Sequence, residues 1–191
     1  MLSLANKSMS WAKPKKYKTI YLDPPWPEQG GGKVKRGADR HYPLMKVSEI
    51  MAMKDVINSV ADVNCHMYMW VTNNYLAEGL RALGEFGFSY KTKIEWIKGD
   101  PQTHLFNNFG LGQYFRGITE TCLFGVKGNL IYKVINGKRA QGKTAFFANR
   151  REHSRKPEEM RAMIELVSYE PRIEFFARES FPGWDRYNKQ I

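Results

Sequence analysis

The sequence predicts an α/β domain organised on one sheet, and three observations predict it. Short apolar runs of strand length, Thr19-Ile20-Tyr21-Leu22 and Cys65 to Val71, alternate with segments whose apolar residues recur at helical spacing. Helix caps and glycine stops fall between them. The chain has 191 residues, 42% of them hydrophobic, enough for one substantial core and most simply one domain spanning 1–191.

The first run reads as a buried strand that ends on Asp23-Pro24-Pro25-Trp26. Residues Pro27 to Tyr42 form a basic, glycine-rich loop containing Gly30-Gly31-Gly32, with the character of a lid. Ser48 caps a helix running to about Val60, and Cys65 to Val71 is the second buried strand. Asn73 or Asn74 caps the next helix, whose apolar residues Leu76, Leu80, Leu83 and Phe86 keep helical spacing and whose end is Gly87. Phe88 to Ile97 alternates as a strand, and Lys98 to Gly117 is a loop that serves either substrate contact or surface connection. Thr121 to Val126 and Leu130 to Ile135 read as a hairpin across Lys127-Gly128-Asn129. Pro157 opens a helix with Glu158 and Glu159 in its first turn and Met160, Met163, Ile164 and Val167 on one face, before a last strand from Arg172 to Ala177.

Composition narrows the function. Thirty Lys and Arg against nineteen Asp and Glu give a net charge of +11, the bias of a protein that meets a polyanion. Lys13, Lys15, Lys16 and Lys18 lie in a basic arm, residues 1–16, and at its junction with the first strand; the cluster suits phosphate contact as well as nuclear import. Lys33, Lys35, Arg36 and Arg40 follow the Asp-Pro-Pro-Trp motif, and Arg150, Arg151, Arg155 and Lys156 form a third cluster. Cys65 and Cys122 sit in apolar runs without partners at ligand spacing, and the four histidines are dispersed, so no metal site is expected. The start of the chain has no signal-peptide region and no stretch reaches membrane-spanning length, which implies a cytoplasmic protein with no membrane partner.

The tetrapeptide carries the chemistry. Proline offers a carbonyl and no N–H, so Pro24 and Pro25 stiffen a loop that presents acceptors beside the Asp23 carboxylate, itself only an acceptor when ionised. A group with two N–H donors suits that loop, and the flat face of Trp26 suits an unstacked base. Adenine, with its exocyclic amine, has both properties. A competing motif, Gly137 to Thr144, fits the phosphate-cradling pattern G-x-x-x-x-G-K-[ST], but Ala145 to Arg150 opens no convincing helix as a nucleotide-binding loop requires. Lys143 is therefore read as part of a basic loop near phosphates.

With these blocks in hand, the chain resembles the Asp-Pro-Pro-Trp type of adenine-N6 methyltransferases, the family of the catalytic subunit of the messenger-RNA adenosine methyltransferase, whose core small bacterial and phage DNA methyltransferases share. Tyr42-Pro43-Leu44-Met45, Trp70-Val71-Thr72, Cys122 to Asn129, Ser154-Arg155-Lys156-Pro157 and Ile173 to Arg178 stand in family order, from about Tyr17 to the C-terminus. The resemblance implies a Rossmann-like fold, permuted so that the catalytic loop precedes the cofactor half, and S-adenosylmethionine as methyl donor. By matched position Asp23, Pro24, Pro25 and Trp26 would be catalytic, and Lys156 would bind the cofactor's carboxylate. Glu174, Phe175, Arg178, Ser180, Asn188 and Gln190 would line the rest of the cofactor, although the Asn is displaced by one position from the family pattern after Trp184. Lys33, Lys35, Arg36, Arg40, Tyr42, Lys143, Arg150 and Arg151 would hold nucleic acid, DNA in preference to RNA, in a bacterial or phage-infected cell; the alternatives are an RNA adenosine-N6 methyltransferase and a non-catalytic nucleic-acid-binding partner of such an enzyme. A second subunit, of this chain or another, would add grip.

Overall fold

The computed structural model describes residues 15–27, 43–106, 114–150 and 155–187. Its centre is β1 (Tyr17–Leu22), a run of apolar and aromatic residues that only a strand covered on both faces can bury. β1 lies parallel to β2 (Ala61–Val71) on one side and to β8 (Arg172–Phe175) on the other, and β9 (Trp184–Tyr187) adds beyond β8 in parallel. On the far side of β2 lie β4 (Thr119–Lys127), β3 (Ser89–Lys98) and β7 (Ala145–Ala148). The order is β7-β3-β4-β2-β1-β8-β9, and β4 alone runs against the other six strands of the described sheet.

Period-two alternation sorts the side chains into two cores. Ile20 and Leu22 of β1, Met67 and Met69 of β2, and Ile173 and Phe175 of β8 face α1 (Val47–Ala52), α2 (Lys54–Val60) and α3 (Leu76–Glu85). Tyr21, Tyr68 and Trp70 face the other way, onto Met160 and Ile164 of α4 (Glu158–Val167). Helices thus cover both faces, and the switch between them falls beside β1, at the strand ends where open α/β sheets hold ligands.

Several expectations need correction. Lys46, not Ser48, is the N-cap of α1: its backbone N–H donates to Glu49 at 2.6 Å, and the helix breaks at Met53 into α1 and α2. A short 3-10 turn, Asn73–Tyr75, precedes α3 with Thr72 as its cap. The hairpin joining Thr121–Val126 to Leu130–Ile135 does not form, because both edges of β4 are already taken by β2 and β3. The turn itself is real: Gly128 has φ +65°, and a Cβ there would lie 2.3 Å from the Val63 carbonyl oxygen. The hairpin instead forms later, between β5 (Val134–Ile135) and β6 (Lys138–Arg139), across Asn136-Gly137, both at positive φ. The strands β7 and β9 were not anticipated. β7 also settles the phosphate-loop pattern, since the residues after Thr144 form a strand instead of a helix.

A buried polar chain ties β2 to α4. Tyr68 Oη lies 2.7 Å from Ser168 Oγ, which lies 2.8 Å from His66 Nδ1, and His66 Nε2 meets the Leu130 carbonyl at 3.1 Å. One arrangement satisfies every partner: neutral His66 donates from Nε2 and accepts at Nδ1 from Ser168, which accepts from Tyr68. Burial pushes the His66 pKa below its ordinary value, against the Leu130 carbonyl, which favours the cation. The unfolded chain therefore binds the proton first, and stability is lost as pH falls below about 6.5, by up to about 1.4 kcal/mol per pH unit. Thermal melts between pH 7 and 5 should show a fall that His66→Gln flattens.

Candidate functional site

β1 ends at Leu22, and Asp23 continues its alternation on the α4 face, where it lines a cleft open to solvent. The cleft is lined by Tyr21 and Asp23 from β1, by Arg155, Lys156, Glu158 and Arg161 from α4 and its approach, and by Glu174, Phe176, Arg178, Glu179 and Phe181 from β8 and the loop after it. Among the sequence-predicted residues, Asp23, Lys156, Glu174 and Arg178 are brought together here.

The charges form a connected chain. Lys156 Nζ lies 3.0 Å from Asp23 Oδ2 and 3.4 Å from Glu120 Oε2, and Lys98 Nζ lies 3.0 Å from Glu120 Oε1. Lys156 also sits 5.3 Å above the Trp70 ring and is only 17% exposed. Burial raises the Asp23 pKa above the ordinary aspartate value against the pull of Lys156; Glu120 adds to the rise and Arg178 opposes it. Burial also pushes Glu120 up, but Lys156 and Lys98 outweigh it and hold that carboxyl below its ordinary value. The two carboxylates thus differ: Glu120 is a fixed anion, while Asp23 is held closer to the point of taking a proton. Glu120 and Lys98 were missed in the sequence; the visible signal was a glutamate at the head of an apolar strand.

The loop is built differently from expectation at Trp26. Its indole is 3% exposed, donates from Nε1 to the Trp70 carbonyl at 2.9 Å, and stacks on Tyr75 with centroids 5.7 Å apart, in the core on the opposite face from the cleft. Trp26 anchors the loop here and presents no face to a base. Pro24 is buried, and its carbonyl accepts from the Trp26 N–H at 2.9 Å; the Pro25 carbonyl accepts from the Met45 N–H, also at 2.9 Å. Each carbonyl keeps a second lone pair.

Phe175 likewise moves: it is 1% exposed, stacks on Tyr187 and belongs to the α1–α3 core, and Phe176 lines the cleft in its place. Adjacent residues of a strand cannot face one side, so Glu174 in the cleft excludes Phe175 from it. Ser180 is exposed and outside the cleft lining. Lys143 and Arg150 are exposed at opposite ends of β7, Arg150 at the end shared with Lys98. Asn188, Gln190, Lys33, Lys35, Arg36, Arg40, Tyr42 and Arg151 lie outside the described residues. Lys15 is paired with Asp185, and Lys16 donates to the Ser59 carbonyl at 2.8 Å, so these two lysines of the arm are engaged with the body of the domain. Among the described residues no cluster of His, Cys, Asp or Glu could hold a metal ion, and no helix is long and apolar enough to cross a membrane.

The sequence profile of the MT-A70 family matches residues 17–190. The chain belongs to that family. The match begins at the first residue of β1 and takes in the Asp-Pro-Pro-Trp loop, both cores and every wall of the cleft. The chain is 29% identical over 199 residues to the type II methyltransferase M.MunI of Mycoplasma sp, an alignment covering 93% of this chain and 78% of that protein. It is 28% identical over 185 residues to a putative N(6)-adenosine-methyltransferase MT-A70-like of Medicago truncatula, and 30% identical over 128 residues to an N(6)-adenosine-methyltransferase MT-A70-like of Arabidopsis thaliana. The MT-A70 relatives from plants are much longer: this chain spans 26% and 18% of them. The seven-stranded mixed α/β sheet is that expected of an MT-A70 methyltransferase.

Proposed function

We propose that the protein is an adenine-N6 methyltransferase that uses S-adenosylmethionine and acts on DNA, with Asp23 as the catalytic carboxylate. The observation that carries the reading is the position of Asp23 after β1, at the mouth of a cleft whose wall holds Lys156, within a loop locked by Trp26 and Met45. The cleft suits the cofactor. Lys156 stands just before the N-terminus of α4, where a carboxylate is welcome, the Asp23 carboxylate suits a sulfonium cation, and Glu174, Phe176 and Phe181 offer an acceptor and flat apolar faces to a nucleoside. When bound, S-adenosylmethionine supplies a methyl group on a positively charged sulfur.

The residues of the chain do the rest. The amine of adenine is a poor nucleophile because its lone pair is delocalised into the ring. Asp23 accepts one of its hydrogens and the remaining lone pair of the Pro24 carbonyl accepts the other, which localises the nitrogen lone pair toward the methyl. The Asp23 carboxylate would stabilise the positive charge that develops on the amine nitrogen as it takes the methyl group that bound S-adenosylmethionine would supply. The surplus proton then leaves the nitrogen for Asp23 Oδ, whose raised pKa favours its acceptance. In chain order Asp23 comes before Lys156 and Glu174, which is the order that the permuted arrangement implied by the family resemblance requires.

DNA is favoured because M.MunI is matched over most of both chains, whereas the plant adenosine methyltransferases are matched over about a quarter of their length or less. A cytoplasmic setting suits the two buried free thiols, Cys65 and Cys122. Mass spectrometry of nucleosides after incubation with labelled S-adenosylmethionine and either DNA or RNA tests the reading. Label in N6-methyldeoxyadenosine is the expected result; label only in RNA adenosine reverses the substrate, and no label in adenine from either polymer rejects the function.

Lys156→Ala should weaken S-adenosylmethionine binding by about 1.5 to 3 kcal/mol, the range of a hydrogen bond to a charged group, as read by calorimetry. Because Lys156 also opposes the rise in the Asp23 pKa, the same variant should shift the acid limb of kcat/KM to higher pH. Unchanged affinity together with an unmoved limb would remove Lys156 from the site.

A further inference from the structure

Arg161 ties α4 to β8 and to the loop that follows it across the cleft. From the second turn of α4 its Nη2 donates to Glu174 Oε2 of β8 at 2.7 Å, with the two side chains only 13% and 14% exposed. Its guanidinium carbon lies 3.4 Å from the centre of the Phe181 ring, in the loop between β8 and β9, and 5.7 Å from that of Trp184. A planar cation stacked on an aromatic face and paired to a carboxylate has little rotational freedom, so it fixes its partners as well as itself. We propose that Arg161 is a positioning residue for the nucleoside end of the cofactor: through its ion pair it orients the Glu174 carboxylate as an acceptor, and through stacking it sets Phe181 as the facing apolar wall. This rests on the reading of the cleft as the S-adenosylmethionine site.

The chemistry follows from what surrounds Glu174. Tyr21 and Asp23 face it from β1, Lys156 and Arg161 from α4, Arg178 and Glu179 from the following loop, and Arg186 is its register partner on β9. Burial pushes its pKa up, Arg161 opposes this through a hydrogen bond and its charge, and Asp23 adds to the rise. A protonated Glu174 would lose the two-oxygen acceptor that hydroxyl or amine donors of a nucleoside need. Arg161 thus opposes protonation of that acceptor, which a residue serving only to pack α4 would not do.

The test is calorimetric binding of S-adenosylmethionine to the full-length protein from about pH 5 to about pH 8, a range lying above the ordinary glutamate value of about 4.3. Wild type should show the flatter profile, holding its affinity to lower pH than Arg161→Gln. Arg161→Gln should lose about tenfold or more at the acid end and recover as pH rises, a tenfold change per unit of pKa displacement. Arg161→Lys, which keeps the charge, should restore the flatter profile, and Glu174→Gln should bind weakly at every pH. If Arg161→Gln fails to fold, the Arg161→Lys and Glu174→Gln profiles still decide. Unchanged affinity in Arg161→Gln, a loss with no pH dependence, or tight binding by Glu174→Gln overturns the inference alone. A folded wild type that does not bind S-adenosylmethionine overturns the cofactor reading and the inference together.

Discussion

Asp23→Asn should abolish methyl transfer while leaving the protein folded and able to bind its cofactor. Asparagine keeps the volume and one acceptor oxygen but removes the negative charge that the developing cation on nitrogen needs. Loss of one such preorganised electrostatic contact costs about 3 to 4 kcal/mol in the barrier, a fall of 10²- to 10³-fold in kcat. The folded state should not suffer. Because the pKa of Asp23 is raised on folding, its ionised form carries a penalty that is absent below the unfolded value of about 3.9 and fully present above the folded one. At neutral pH the neutral amide lifts that penalty, and Lys156 keeps Glu120 as partner, so the melting temperature should hold or rise. The same raised pKa places the acid limb of wild-type kcat/KM above the pH expected of an ordinary aspartate. Turnover by Asp23→Asn near the wild-type rate would exclude the mechanism.

The second large effect is on nucleic acid. With a net charge of +11 and basic clusters beside loops, binding should draw chiefly on phosphates. Affinity for duplex DNA should then fall by about 10³- to 10⁵-fold between about 50 and about 200 mM salt, as for proteins that contact six to ten phosphates. Combined removal of charge at Lys33, Lys35, Arg36, Arg150 and Arg151 should weaken unrelated sequences about equally and reduce the salt slope. Binding titrations in which affinity barely changes over that salt interval would point to base contacts as the main source of affinity.

Much of this architecture was legible because local pattern and global fold agree. β1, the apolar half of β2, the buried face of α4, and β8 follow from periodicity that survives folding unchanged; on α3 Leu83 and Phe86 are buried as expected, but Leu76 and Leu80 are exposed and Gly79 and Ala82 take the inner face. The failures share a cause. Whether Leu130 to Ile135 can pair with β4 depends on whether β4 has a free edge, and that is decided by β2 and β3, which lie far away in sequence. β9 was hidden because Trp184-Asp185-Arg186-Tyr187 contains two charges and becomes a strand only where β8 offers it an edge. β7 was obscured by the basic run before it. At the site, the tetrapeptide located Asp23, but the direction in which Trp26 points depends on the Trp70 carbonyl and Tyr75, contacts that no local pattern encodes. Phe175 is a different lesson: its burial was already implied by the alternation Ile173, Glu174, Phe175, Phe176.

That alternation makes length a selected quantity in this protein. Deleting or inserting a single residue within β1 would turn Tyr21 and Ile20 to each other's faces and carry Asp23 away from Lys156, while every residue type stayed the same. The same change in β8 would exchange Glu174 for its apolar neighbours in the cleft. Among the described residues the β5–β6 ribbon forms a sheet of its own, so additions at its Asn136-Gly137 turn would leave the register of the seven-stranded sheet alone. Variation in chain length among functional descendants should therefore collect at that ribbon, and the interval between Tyr17 and Asp23 should stay fixed even where its residues drift.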